Sequence, residues 1–157
     1  MAKTTPATLH LTRLGVAFTP KLYDYDPHAQ EIGLFAARAL DLPPPVVLKT
    51  LMTRVDGEPV CVVLASDAEV QMKALAAACE GKSAEMMKPA DAERLTGFKV
   101  GGISPFGQKK QVVAVLDAAA LQHDVVYVNG GQRGMLLEIA SADLAAALQP
   151  IIATISR

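Results

Sequence analysis

The chain has 157 residues, about half of them apolar and a fifth charged, with a net charge of −1. That size suits one domain with a real core, and the balance excludes a disordered chain or a protein that grips nucleic acid by bulk positive charge. Trp is absent and aromatics are scarce, so Val, Leu, Ile, Ala and Met must fill the interior. Residues 6–14 read as a short helix, with Thr5 as N-cap, Pro6 at the first helical position and Gly15 as its end. Residues 18–25 alternate as a strand. Residues 29–40 carry Ile32, Phe35, Ala36, Ala39 and Leu40 at helical spacing, and the run Leu42-Pro43-Pro44-Pro45 then breaks the helix. Residues 49–55 and 59–65 form a hairpin around Asp56-Gly57. Ser66 and Glu69 make a capping box for a helix that runs to about Glu80 and closes at Gly81. A short strand over 82–86 and a helix over 89–95 follow. The last third is mostly β: strands at 111–116, 125–128 and 135–140, a helix from Ser141 to about Leu148, and a final strand over 151–155.

Helices and strands are interleaved, but several strands are joined by tight turns. The expected fold class is α+β, a curved, barrel-like, largely antiparallel mixed sheet with flanking helices, in a single domain over residues 1–157. No apolar run approaches the length of a bilayer span, and the N-terminal residues lack the apolar stretch of a signal peptide. A cytoplasmic protein with no membrane association is expected. No long amphipathic helix is left over, which favours a monomer.

The chemistry-bearing residues are few. His10, His28 and His123 are scattered without metal-ligand spacing, and Asp24, Asp26 and His28 read as a solvated loop, so neither a metal nor a cofactor is expected. Cys61 lies in an apolar strand and Cys79 near a helix end, and neither has a neighbour that would lower its pKa. No Gly-x-Ser-x-Gly elbow, Walker loop or dinucleotide fingerprint is present. Ser104 precedes a proline and reads first as a turn residue. Two features stand out. Gly101-Gly102-Ile103-Ser104-Pro105, followed by Lys109-Lys110, brings unshielded backbone and positive charge together. Asn129-Gly130-Gly131-Gln132-Arg133-Gly134 does the same, although Asn-Gly is equally a hairpin signal. Lys49 follows the proline bend and opens an apolar strand, so its ammonium either snorkels to solvent or enters a pocket.

With Val47-Leu48-Lys49-Thr50-Leu51, these loops resemble the YbaK-type aminoacyl-tRNA deacylases over nearly the whole chain. The resemblance implies an enzyme that clears Cys-tRNA(Pro), and also Cys-tRNA(Cys), in trans. It makes Lys49 the lysine the family requires, and Gly101 and Pro105 the ends of its Gly-x-x-x-Pro motif, with Gly102, Ile103 and Ser104 between them. Tyr23 matches a tyrosine near the pocket, and Gly130, Gly131, Arg133 and Gly134 match the second loop. Lys49, Gly101 and Gly102 are then the catalytic candidates. Tyr23, Ile103, Ser104, Pro105, Asn129, Gly130, Gly131 and Arg133 are the substrate-binding ones. The implied mechanism needs no protein nucleophile, because the substrate's own thiol cleaves the ester. The implied partners are the 3′ end of an aminoacyl-tRNA and, transiently, prolyl-tRNA synthetase.

Two departures leave the amino acid open. Asn129 stands in place of a serine, and Gln30-Glu31-Ile32 replaces a stretch holding a phenylalanine. An editing hydrolase that uses water on Ala or Ser esters, or a non-catalytic module that binds tRNA ends, are the alternatives.

Overall fold

The computed structural model describes residues 4–157. Helix α1, Pro6–Arg13, starts where Thr5 predicts. The Thr5 hydroxyl accepts from the Thr8 N–H at 3.1 Å, and Thr8 Oγ1 accepts from the Thr5 N–H at 2.8 Å. Strand β1 is only Thr19–Leu22. Tyr23 makes one more backbone bond, to Gly134 O, and the chain then leaves the sheet. Helix α2, Ile32–Ala39, begins three residues later than its periodicity suggests. Glu31 precedes it in a left-handed conformation, with φ of 51°.

Pro44–Val46 form a 3-10 turn that leads into β2, Leu48–Val55. Asp56 and Gly57, both at positive φ, turn the chain tightly into β3, Glu58–Ala65. The expected capping box after it does not form. Ser66 Oγ instead donates to Pro44 O at 2.9 Å, and Glu69 exchanges backbone hydrogen bonds with Arg157. After a turn at Ser66 and Asp67, residues 69–71 run as extended chain against the C-terminal segment, and helix α3 spans only Met72–Ala78. Strand β4 is Ala84–Met86 and helix α4 is Pro89–Thr96. Strand β5, Val113–Asp117, is followed by a 3-10 turn, Ala118–Gln122, that the sequence reading did not separate. Strands β6, Val125–Asn129, and β7, Met135–Ala140, form a hairpin. Helix α5, Ser141–Leu148, has Ala140 at its cap position, so Ser141 is its first residue and not its cap. Strand β8 is Ile151–Ala153, shorter than expected because Asp117 carboxylate oxygens take the Ile155 N–H and the Ser156 hydroxyl.

The strands make two sheets. One is antiparallel, in the order β1-β7-β6; the other is mixed, in the order β4-β2-β3-β5-β8, with β3, β5 and β8 parallel. This is the expected α+β class with flanking helices, although no barrel closes among the described residues. A bridge between Val47 and Tyr127 joins the sheets at the entry to β2. Leu48, Met52, Phe106, Met135 and Leu137 belong to the main core, and Val62, Leu64, Leu75, Val115 and Ile155 to a second one under α3.

That junction leaves part of a strand edge bare. The outer edge of β2 meets β6 at Val47 and β4 from Thr53 onward. Between them no strand lies against it among the described residues. Met52 O, facing that edge, accepts from Met87 N–H at 3.0 Å. By the period-two alternation of strand backbone, the Thr50 N–H and C=O point to the same edge.

Candidate functional site

A cavity of about 350 Å³ opens at this bare edge. Because it wraps the strand's rim, residues from both faces reach it: Lys49 from one, Thr50 from the other. Glu31, at the cap position of α2, and Ile32, Gly33 and Ala36 within the helix form one wall. Met86, Met87 and Ala92 form a second, and Val100, Gly101 and Ile103 a third. Asn129, at the end of β6, closes the fourth side.

Several local features set Lys49 in place. Ser66 clamps the proline bend through Pro44 O, and its N–H bonds Val47 O at 2.8 Å. Gly33 lets α2 lie directly over this strand end. A Cβ at Gly33 would sit 2.8 Å from Ser66 Cβ and 3.9 Å from Lys49 Cβ. Burial lowers the Lys49 pKa below the ordinary lysine value, against the opposing pull of the Glu31, Glu69 and Asp67 charges. Lys49 is half-buried and lines the cavity.

The Gly101 loop is a tight turn, closed by Gly102 N–H donating to Lys99 O at 2.9 Å. Gly101 takes φ of 95°, a backbone angle that favours glycine. A Cβ there would also approach within 2.5 Å of the Tyr25 hydroxyl. Glu93 Oε2 accepts the Val100 N–H at 2.8 Å. The Gly101 and Ile103 amides donate to no acceptor among the described residues, and both residues line the cavity.

The other residues singled out from sequence lie elsewhere. Gly102, Gly131 and Arg133 line an adjacent cavity of about 300 Å³, on the far side of the same turn. The Gly102 amide, held by Lys99 O, does not serve the first cavity. Ser104, Pro105 and Gly130 are buried. The Ser104 hydroxyl accepts from Phe106 N–H and its carbonyl from Gln108 Nε2. Gly130 O accepts from the Thr5 hydroxyl, tying the second loop to α1. Tyr23 packs on Phe35 with ring centroids 6.2 Å apart, in a shallow cleft with Arg38 and Ala39, across α2 from the main cavity. Its hydroxyl is buried without a partner among the described residues, and burial raises its pKa.

Thr50 is the residue that sequence reasoning passed over. It is 8% exposed, lines the cavity, and its Oγ1 has no hydrogen-bond partner among the described residues. A buried hydroxyl without a partner is costly, and it fits a site that awaits a polar ligand. Its place directly after Lys49 was the available signal. Cys61 offers no nucleophile, because burial pushes its thiol up to about 12. No group of three or more His, Cys, Asp or Glu comes together as a metal site among the described residues, and no helix of the described chain is long and apolar enough to cross a membrane.

The aminoacyl-tRNA editing domain family model matches residues 27–147, which include α2, β2 and both glycine loops. A protein of Enterococcus faecalis, EbsC, provisionally named as a Cys-tRNA(Pro)/Cys-tRNA(Cys) deacylase, is 39% identical over 95 residues, 60% of this chain. The aligned stretch spans 58% of that relative's own length. Among solved structures, the hypothetical protein APE2540 superposes with a TM-score of 0.87 at 21% identity, over 98% of this chain and all of the other. A protein provisionally described as a trans-editing enzyme for prolyl-tRNA synthetase superposes with a TM-score of 0.83 at 18% identity, over 99% of each chain. At those identities the two structures speak to the fold alone.

Proposed function

Because the chain belongs to the aminoacyl-tRNA editing domain family, we propose that it is a trans-editing deacylase that clears Cys-tRNA(Pro), and also Cys-tRNA(Cys), in the cytoplasm. The observation that carries this reading is the gathering of Lys49, Thr50, Gly101, Ile103 and Asn129 around one cavity at a bare strand edge. The cavity offers a cation, free backbone amides and an unpartnered hydroxyl, and no Cys or His lines it among the described residues.

Such a site works by position and charge. The substrate's cysteine sulfur attacks its own ester carbonyl. A carbon–sulfur bond forms, the carbon–oxygen bond to the ribose breaks, and the thiol proton ends on the departing ribose hydroxyl. The products are a small cyclic thiolactone and free tRNA. The Gly101 and Ile103 amides are the donors available to the carbonyl oxygen as it gains negative charge; loss of one such donor typically raises a barrier by about 3 kcal/mol. Lys49 stabilises the attacking thiolate or anchors the terminal nucleotide, since a nearby cation favours either anion. Thr50 and Asn129 supply polar contacts that hold the ester in line. Prolyl-tRNA synthetase, in transient association, supplies selection of the tRNA that a chain of net charge −1 provides weakly by itself.

Lys49→Ala is expected to lower kcat/KM on Cys-tRNA(Pro) by about 10²–10³-fold; near-wild-type cleavage would remove Lys49 from the mechanism. A second reading is favoured by one observation. Glu31 places a carboxylate on the cavity wall, where it could activate a water toward an Ala or Ser ester. A panel of aminoacyl-tRNAs separates the two. Preference for the cysteine ester supports the thiol route, and equal cleavage of the serine ester supports the water route.

A further inference from the structure

Resting on the deacylase reading, we propose that the cavity on the far side of the Lys99–Gly102 turn is a second subsite, which holds a phosphodiester of the substrate's 3′ strand. This cavity has a different character from the first. Lys99 and Arg133 bring two cations to it, and neither forms an ion pair among the described residues. No carboxylate among the described residues lines it.

Much of the remaining wall is backbone. A Cβ at Gly102 would fall 2.8 Å from Arg133 N and 2.9 Å from Gln132 C, so the two glycine loops pack main chain against main chain. Gly131 sits at φ of 88°. The amides of Gly131, Gln132 and Arg133 donate to no acceptor among the described residues. Successive free amides beside a glycine at positive φ make a concave donor surface suited to an anion.

Arg133 is held ready for the same purpose. Its Nε donates to Val100 O at 2.9 Å, and its guanidinium lies 5.2 Å above the Tyr25 ring. Those contacts fix the fork and leave its terminal N–H groups free for a bidentate partner such as phosphate. The location names the phosphate. Gly101 lines the first cavity and Gly102 the second, so consecutive residues of one turn border both. A strand whose terminal nucleotide enters the first cavity passes its preceding phosphodiester over the second.

The test uses Lys99→Gln, because among the described residues Lys99 makes no side-chain hydrogen bond or ion pair that loop folding would miss. Its kcat/KM is measured on Cys-tRNA(Pro) and on a 3′-cysteinyl adenosine, which carries no phosphodiester. On the tRNA the expected loss is roughly fivefold at low salt, and the slope of log kcat/KM against log salt becomes shallower by about 0.7. On the adenosine ester the rate is unchanged. Equal losses on both substrates, or an unaltered salt slope, would overturn the subsite. A second arm needs no cleavage: binding of unacylated CCA trinucleotide to wild type and Lys99→Gln across a salt series. Weaker, less salt-dependent binding by the variant supports the subsite, and identical curves overturn it. If no ester is cleaved while CCA binding behaves as expected, the deacylase reading fails and the phosphate site stands.

Discussion

At Lys49 the balance between burial and neighbouring acids decides which charge the cavity carries. Burial dominates and lowers its pKa, so the ammonium loses its proton at a lower pH than an ordinary lysine would. If the cation assists cleavage, activity falls as pH rises through that lowered pKa, earlier than lysine's usual range. A pH–rate profile of kcat/KM checks this, and Lys49→Arg should extend the plateau to higher pH. Thr50 gives a complementary test. Thr50→Val keeps the shape but removes a hydroxyl that is buried and unpaired. Stability should rise by about 1 kcal/mol in a urea titration while deacylation drops. Loss of stability instead would mean that the hydroxyl has a structural partner. An apolar strand start makes the charge of Lys49 conspicuous, but local sequence by itself favours a side chain that snorkels to solvent, and only the family resemblance directs it to a pocket. The threonine was not legible, since a Thr in a strand is ordinary and only its missing partner marks it. Ser104 and Pro105 show the reverse: a notable motif whose last two members are buried and do not line the cavity that Gly101 and Ile103 border.

Helix α2 was legible from its spacing, and its position over Lys49 was not. That position depends on one missing methyl group. Gly33→Ala pushes a Cβ against Ser66 Cβ, whose side chain is already clamped to Pro44 O. Overpacking costs about 1–3 kcal/mol, offset by roughly 1 kcal/mol of added helix propensity. Thermal melting should therefore shift little, while deacylation falls at least tenfold because the wall over Lys49 moves. Unchanged kinetics would show that α2 takes up the strain without moving the site. The segment at 67–71 was misread for a related reason. Ser66 and Glu69 have the spacing of a capping box, but local propensity lost to tertiary pairing with residues 155–157, almost ninety positions away. Spacing within four residues carries no trace of such a partner.

Over the whole molecule, alternation and turn chemistry revealed nearly every strand, and the class followed from their mixture with helices. Strand order did not follow, because the parallel pairing of β3, β5 and β8 joins segments far apart in sequence. Asp117 secures that arrangement: it is 1% exposed and its two carboxylate oxygens bond Ile155 N–H and the Ser156 hydroxyl. Asp117→Ala is expected to cost about 2–4 kcal/mol in urea unfolding, with little change in the kinetics of the remaining folded enzyme. The gap in the sheet has a consequence beyond recognition. An uncovered strand rim ordinarily invites another copy of the chain to add its own strand, the first step toward insoluble aggregates. Here residues of α2 and of the Val100–Ile103 loop line the recess around that rim, so a second strand would have to displace them to pair with it. If substrate enters there, the same enclosure that receives it also hinders edge-to-edge pairing between copies of the chain.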